Sequence, residues 1–161
     1  MGYSLGGLVA AHVAARGDLP LPLSALVLLA PGLGLAQRLQ RAEVDPATGF
    51  MSLPSAYVPA GYLVVGQKLL GDLHQNCNAD ADVAQALRLP TFIAHGEDDD
   101  TVAIEDIAAF HDLLGTSPGQ SHLLRISGVD GGDHRLNRCI DRIFAQLECF
   151  LQQHKLLTAA Q

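Results

Sequence analysis

Apolar positions in this chain follow two different periods. From Ser24 to Ala30 the sequence reads S-A-L-V-L-L-A, then stops at Pro31-Gly32. A continuous apolar run of that length, closed by turn residues, predicts a strand buried on both faces. Thr91–Ala94, behind Pro90, predicts a second strand, and Ser121–Ser127, S-H-L-L-R-I-S, a third. Elsewhere the period is helical. Leu5–Arg16 carries Ala10, Ala11, Ala14 and Ala15 and stops at Gly17, which predicts a helix able to pack closely on a sheet. Ile104–Leu114 sets Ile104, Ile107, Ala108 and Leu114 near one face. Near the C-terminus, Ile140, Ile143, Phe144, Leu147, Phe150 and Leu151 follow the spacing of an amphipathic helix.

Strands that alternate with helices imply right-handed crossovers and a parallel sheet. The fold class is therefore α/β, in a single domain spanning residues 1–161. Between residues 33 and 87 the pattern loosens, with Pro46, Pro54, Pro59, Gly49, Gly61, Gly66 and Gly71 among polar patches. This stretch reads as an insertion or lid, with Tyr62–Leu73 as its helical part.

Composition narrows the field. The 161 residues are 48% hydrophobic and 17% charged, with a net charge of −7. An acidic chain with no basic stripe is expected to repel phosphate backbones, so nucleic acid is not the expected partner. No membrane span is expected, because the longest apolar stretch is broken by Pro20, Pro22 and Pro31, short of the roughly 20 residues a span needs. The cysteines are three, Cys77, Cys139 and Cys149, with no C-x-x-C pair. They read as reduced thiols of a cytoplasmic protein. No Cys/His cluster has ligand spacing, so neither a metal nor a cofactor is expected.

Candidate chemistry begins at the N-terminus. Gly2, Ser4 and Gly6 form G-x-S-x-G, the pattern that presents a nucleophilic serine on a sharp strand-to-helix turn. Functional residues of open α/β sheets sit on loops beyond the C-terminal ends of strands. Three such loops carry Ser4, then Glu97–Asp100, then His134. The order serine, acid, histidine is that of an α/β-hydrolase triad. A serine hydroxyl needs a base to take its proton, and an imidazole needs a carboxylate to fix its tautomer. Ser4 is the expected nucleophile and His134 the expected base. The N–H of Leu5, opening the following helix, is the expected oxyanion donor. Spacing alone leaves Asp98, Asp99 and Asp100 open as the acid. Tyr3, Tyr57 and Tyr62 are candidates to contact substrate. Asp133 reads as a helix cap and His95 as a structural residue behind the acid loop.

Three runs, "GYSLGG", "HGEDDDTV" and "GGDHR", resemble the α/β-hydrolase family of serine esterases, thioesterases, lipases and peptidases. In that family the acid follows a strand in an H-G-x-x-D-x-x-V run. Here that run is His95, Gly96, Asp99 and Val102, so the resemblance implies Asp99. More loosely, Gly132–Leu136 and the short lid resemble small depalmitoylating thioesterases that also cleave acyl glucuronides. The implied partner is a small-molecule ester or thioester, cleaved through an acyl-enzyme. Peptidases, lipases and acyltransferases use the same three residues.

The resemblance covers the second half of the family's fold, about three parallel strands flanked by helices. The strand that feeds the serine turn and the loop giving a second oxyanion donor are not matched. The expected consequences are an unpaired sheet edge that favours a homodimer and a rate lower by about 10² to 10³ for the missing donor. The alternative is a non-catalytic remnant that acts by association.

Overall fold

The computed structural model describes residues 1–40, 43–54, 59–66, 68, 69, 71 and 79–157. The chain forms two compact units. One joins Met1–Leu33 to Ala79–Gln161, and the other is Gly34–Asn78.

The first unit is built on four parallel strands in the order β1-β2-β5-β6: β1 Gly2–Tyr3, β2 Leu26–Leu29, β5 Thr91–Gly96 and β6 Ser121–Ile126. Every residue of β2 and β5 is buried: β2 is apolar throughout, and the polar side chains of β5, Thr91 and His95, are hydrogen-bonded to the Leu89 and Val102 carbonyls. Gly2 pairs with Leu28 and Leu26 with Thr91, while Thr91–Gly96 runs in register with Ser121–Ile126. Four strands stand where three were expected. The fourth is β1: Gly2 and Tyr3 pair with β2, so the serine turn does follow a strand.

Alternate strand residues point to opposite faces. Val27, Leu29, Phe92, Ala94, Leu124 and Ile126 face one way and pack against α5, Ile140–Gln153, through Ile143, Leu147 and Phe150. The buried stripe of α5 is narrower than its apolar sequence, since Phe144 is 50% exposed. Helix α1, Leu5–Arg16, lies against β1 and β2 and touches α3, Asp80–Ala86. Helix α3 in turn touches α4, Ile104–Asp112, which lies on β5 and β6. Val83 and Ala84 of α3 are buried, and α3 belongs to this unit. Among the described residues, no helix is long and apolar enough to cross a membrane.

The second unit has the short helix α2, Leu35–Gln40, and an antiparallel pair, β3 Phe50–Pro54 and β4 Tyr62–Gly66. Its small core is Leu39 and Met51, with Leu35, Val44, Leu53 and Val65 packed around them. Of the Tyr62–Leu73 stretch expected to be helical, Lys68, Leu69 and Gly71 are helical, while Tyr62–Gly66 is a strand. Its aromatic and β-branched residues, Tyr62, Val64 and Val65, favour extended backbone, and they find a partner strand in Phe50–Pro54.

Candidate active site

Ser4 stands between β1 and α1 with φ 51° and ψ −124°, a conformation that L-residues rarely adopt. Such a backbone costs on the order of 1–3 kcal/mol and persists only where its surroundings over-determine it. Here they do. The Ser4 N–H donates to the Leu29 carbonyl at 3.0 Å, and the Ser4 carbonyl accepts from the N–H groups of Gly7 (2.9 Å), Leu8 (3.3 Å) and Gly32 (2.8 Å). The flanking glycine is a steric necessity, because a Cβ on Gly2 would collide with the backbone of Gly6 and Gly7.

Two further loops converge on Ser4. The Glu97 N–H donates to the Ile126 carbonyl at 2.8 Å, and the Asp98 N–H to the Gly132 carbonyl at 3.0 Å. This stitching demands glycine as well: a Cβ on Gly96 would strike the Gly132 carbonyl. The loops after β5 and β6 therefore run together, and Asp99 meets His134. Asp99 Oδ2 lies 2.8 Å from His134 Nδ1, and His134 Nε2 lies 2.9 Å from Ser4 Oγ. Asp98 instead lies against Gly128, and Asp100 accepts from the Thr101 hydroxyl at 3.1 Å. Of the three neighbouring acids, Asp99 is the one the structure brings to His134.

Asp99 and His134 are both buried. Burial pushes the Asp99 carboxyl upward, but the hydrogen bond from His134 and the N–H groups of Val102 and Thr101 outweigh it and hold the group below its ordinary range. Those two N–H groups reach Oδ1 at 2.9 Å and 2.8 Å. An ionised carboxylate only accepts, so His134 Nδ1 must carry a proton. In the neutral imidazole, Nε2 is then the acceptor for the Ser4 hydroxyl. The arrangement can draw a proton off Ser4 and hold the resulting imidazolium against a buried anion.

Tyr3 has a role the sequence did not disclose. Its hydroxyl donates to the His134 carbonyl at 3.0 Å, and its ring lies 5.8 Å from the His134 ring. Burial, then the charges of Asp99 and Asp133, raise the phenol's pKa and keep its proton in place. Leu5 is the first residue of α1, so its N–H has no acceptor one turn earlier in the helix. Tyr62 belongs to β4 of the second unit and is 49% exposed. Tyr57 lies outside the described residues. Asp133 does not cap a helix. Its carboxylate accepts from the N–H groups of Arg135 and Leu136, both at 3.0 Å, which fixes the turn just after His134.

No protein-family model matches the chain, and no curated protein matches it. Solved structures do. Est1E from Butyrivibrio proteoclasticus superposes with a TM-score of 0.72 at 21% identity, over 97% of this chain and 60% of its own. The α/β-hydrolase domain-containing protein 10 from mouse gives 0.71 at 20% identity, over 94% of this chain and 60% of its own. A hydrolase from Agrobacterium vitis S4 gives 0.67 at 22% identity, over 92% and 59%. This chain has the α/β-hydrolase fold. The likeness is one of architecture, and the chain spans about three fifths of the length of these α/β-hydrolase neighbours.

Proposed function

We propose that the protein is a metal-independent serine hydrolase that cleaves a carboxylic ester or thioester through an acyl-enzyme. The observation that carries this reading is the continuous path Ser4 Oγ, His134 Nε2, His134 Nδ1, Asp99 Oδ2, with steps of 2.9 Å and 2.8 Å either side of the imidazole. The strained Ser4 backbone supports it, since strain of this kind collects at working sites.

In this reading Ser4 Oγ attacks the substrate carbonyl as its proton passes to His134 Nε2. The carbonyl oxygen becomes an oxyanion that takes the Leu5 N–H, at the positive end of α1. His134 returns the proton to the departing alcohol or thiol, leaving an ester on Ser4. Water then attacks that ester, giving its proton to His134, and the acid leaves as Ser4 recovers its own. Asp99 stays ionised throughout and holds the imidazolium. Tyr3 remains a proposed substrate contact, offering its ring while its hydroxyl is engaged.

The test is hydrolysis of a panel of p-nitrophenyl esters and acyl thioesters by the purified chain, with Ser4→Ala beside it. The expected result is turnover that falls at least about 10⁴-fold in the variant, as loss of a nucleophile produces. Equal turnover by both proteins overturns the assignment of Ser4. Absence of turnover from the folded chain favours the reading in which it acts by association.

A further inference from the structure

The path from Ser4 to Asp99 leaves a buried titratable side chain beside it unused. His95, in β5, is 0% exposed. Its Nε2 lies 2.9 Å from the Val102 carbonyl and 3.4 Å from Asp99 Oδ2, the oxygen that also receives His134. A carbonyl only accepts, so Nε2 carries a proton. Burial is the largest influence on this imidazole and keeps it neutral, against the opposing pull of the Val102 bond and the Asp99 charge. Nδ1 is then a bare acceptor, buried with no hydrogen-bond partner among the described residues. A core position filled only for packing would take an apolar side chain and avoid that orphan atom. The imidazole is tolerated for what Nε2 holds.

What it holds is a closed ring of contacts. Val102 is gripped at both ends: its carbonyl by His95 Nε2, its N–H by Asp99 Oδ1 at 2.9 Å. The Thr101 N–H adds a second donor to that oxygen at 2.8 Å. With Oδ1 anchored to the loop and the loop anchored to His95, Oδ2 has one direction left, toward His134 Nδ1. We propose that His95 is a positioning residue, fixing the 99–102 loop so that the Asp99 carboxylate presents Oδ2 to His134. This inference rests on the reading of Ser4, Asp99 and His134 as the working site. His95 touches no reacting atom and acts only through Asp99.

Two variants of similar size separate this role from packing. In His95→Gln the amide nitrogen reaches the place of Nε2. In His95→Asn it stops at the place of Nδ1. Two readouts are followed in folded protein: the inactivation rate by a fluorophosphonate, and the NMR resonance of the His134 Nδ1 proton shared with Asp99. The Gln variant is expected within about threefold of the parent rate and to keep the resonance. The Asn variant is expected to react about 10- to 100-fold more slowly, as loss of a hydrogen bond to a charged group gives, and to lose the resonance. In an Asp99→Asn background, His95→Asn is expected to add nothing.

The proposal is overturned if His95→Asn keeps both rate and resonance, or slows the Asp99→Asn protein as much as it slows the parent. Should the Asn variant fail to fold, folded His95→Gln decides alone, and loss of the resonance there overturns the proposal. If the parent chain takes no label, the proposed function fails while the resonance still judges His95: kept in Gln and lost in Asn supports it, and any other pattern overturns it.

Discussion

The two units of this chain bury their apolar residues in different ways. In the first, β2 and β5 are buried along their whole length, and α5 closes one face with Ile143, Leu147 and Phe150. In the second, β3 alternates, and among the described residues Leu39 and Met51 form the fully buried centre. A strand covered on both faces is apolar at nearly every position, and its polar exceptions, such as Thr91 and His95 in β5, must find partners. A strand of a two-stranded ribbon is constrained at every other position at most. The first kind leaves a continuous mark on the sequence, and the second leaves a mark easily shared with other structures. Tyr62, Leu63 and Val64 are all substantially exposed, so no burial period distinguishes β4 from a helix. The site follows the same division, since Ser4, Asp99 and His134 all lie beyond the C-terminal ends of strands of the parallel sheet.

This contrast is tested most strongly by opening a cavity in each core. Phe92, fully buried in β5, touches Phe150 and His122. Phe92→Ala is expected to destabilise the first unit by about 3–5 kcal/mol. Hydrogen exchange should quicken together across β2, β5 and β6, because they share one core. Met51→Ala is expected to cost toward 2 kcal/mol, the low end for such a change, with exchange quickening in β3 and β4. Faster exchange confined to β5 in the Phe92 variant would break the idea of one continuous core.

Acid comes next in size. His95 is held below its ordinary value by burial, as are His12 and His122. The unfolded chain takes up these protons near pH 6.5 while the folded chain resists, so stability is full above about pH 6.5 and declines below it. Each histidine contributes a slope of at most about 1.4 kcal/mol per pH unit, and less where solvent reaches it, as at the half-buried His12 and His122. Asp99 adds a later step of the same sign. Its lowered folded value stabilises the protein above about pH 4, and that contribution disappears as pH falls through the folded value. Urea unfolding between pH 7 and 5 should show His95→Gln with a shallower slope than the parent. An unchanged slope would mean that His95 takes its proton as easily folded as unfolded.

The smallest effect expected belongs to Tyr3. Tyr3→Phe keeps the ring and removes the bond to the His134 carbonyl, a loss of about 1 kcal/mol. Fluorophosphonate labelling should slow by about fivefold. A rate equal to the parent's would leave the Tyr3 hydroxyl without a part in holding the base loop.

How far the sequence reveals this molecule follows from the same physics. Leu5–Arg16 is the helix that its alanines and closing Gly17 predict, residue for residue. Ser24–Ala30 contains β2, and Thr91 begins β5 as expected, though β5 runs on to Gly96 because the pairing with β6 does. At the site, spacing alone leaves Asp98 and Asp100 open beside Asp99, since a loop has no period, and the resemblance of the H-G-x-x-D-x-x-V run is what favours Asp99. What separates them is the meeting of two loops at Gly96 and Gly132, a contact between positions far apart in sequence. The Tyr3 hydroxyl bond spans 131 residues and leaves no local signal. His95 and Val102 did leave one. They stand at the two ends of the H-G-x-x-D-x-x-V run, and the structure joins them by a hydrogen bond.

The central claim is that Ser4 is a nucleophile activated by His134. Its most direct measurement is treatment of the purified chain with a fluorophosphonate, followed by mass spectrometry of the digested protein. The account predicts one adduct, on the peptide containing Ser4, absent in Ser4→Ala and strongly reduced in His134→Ala. An adduct on another residue, or labelling of Ser4 that is indifferent to His134→Ala, would contradict it.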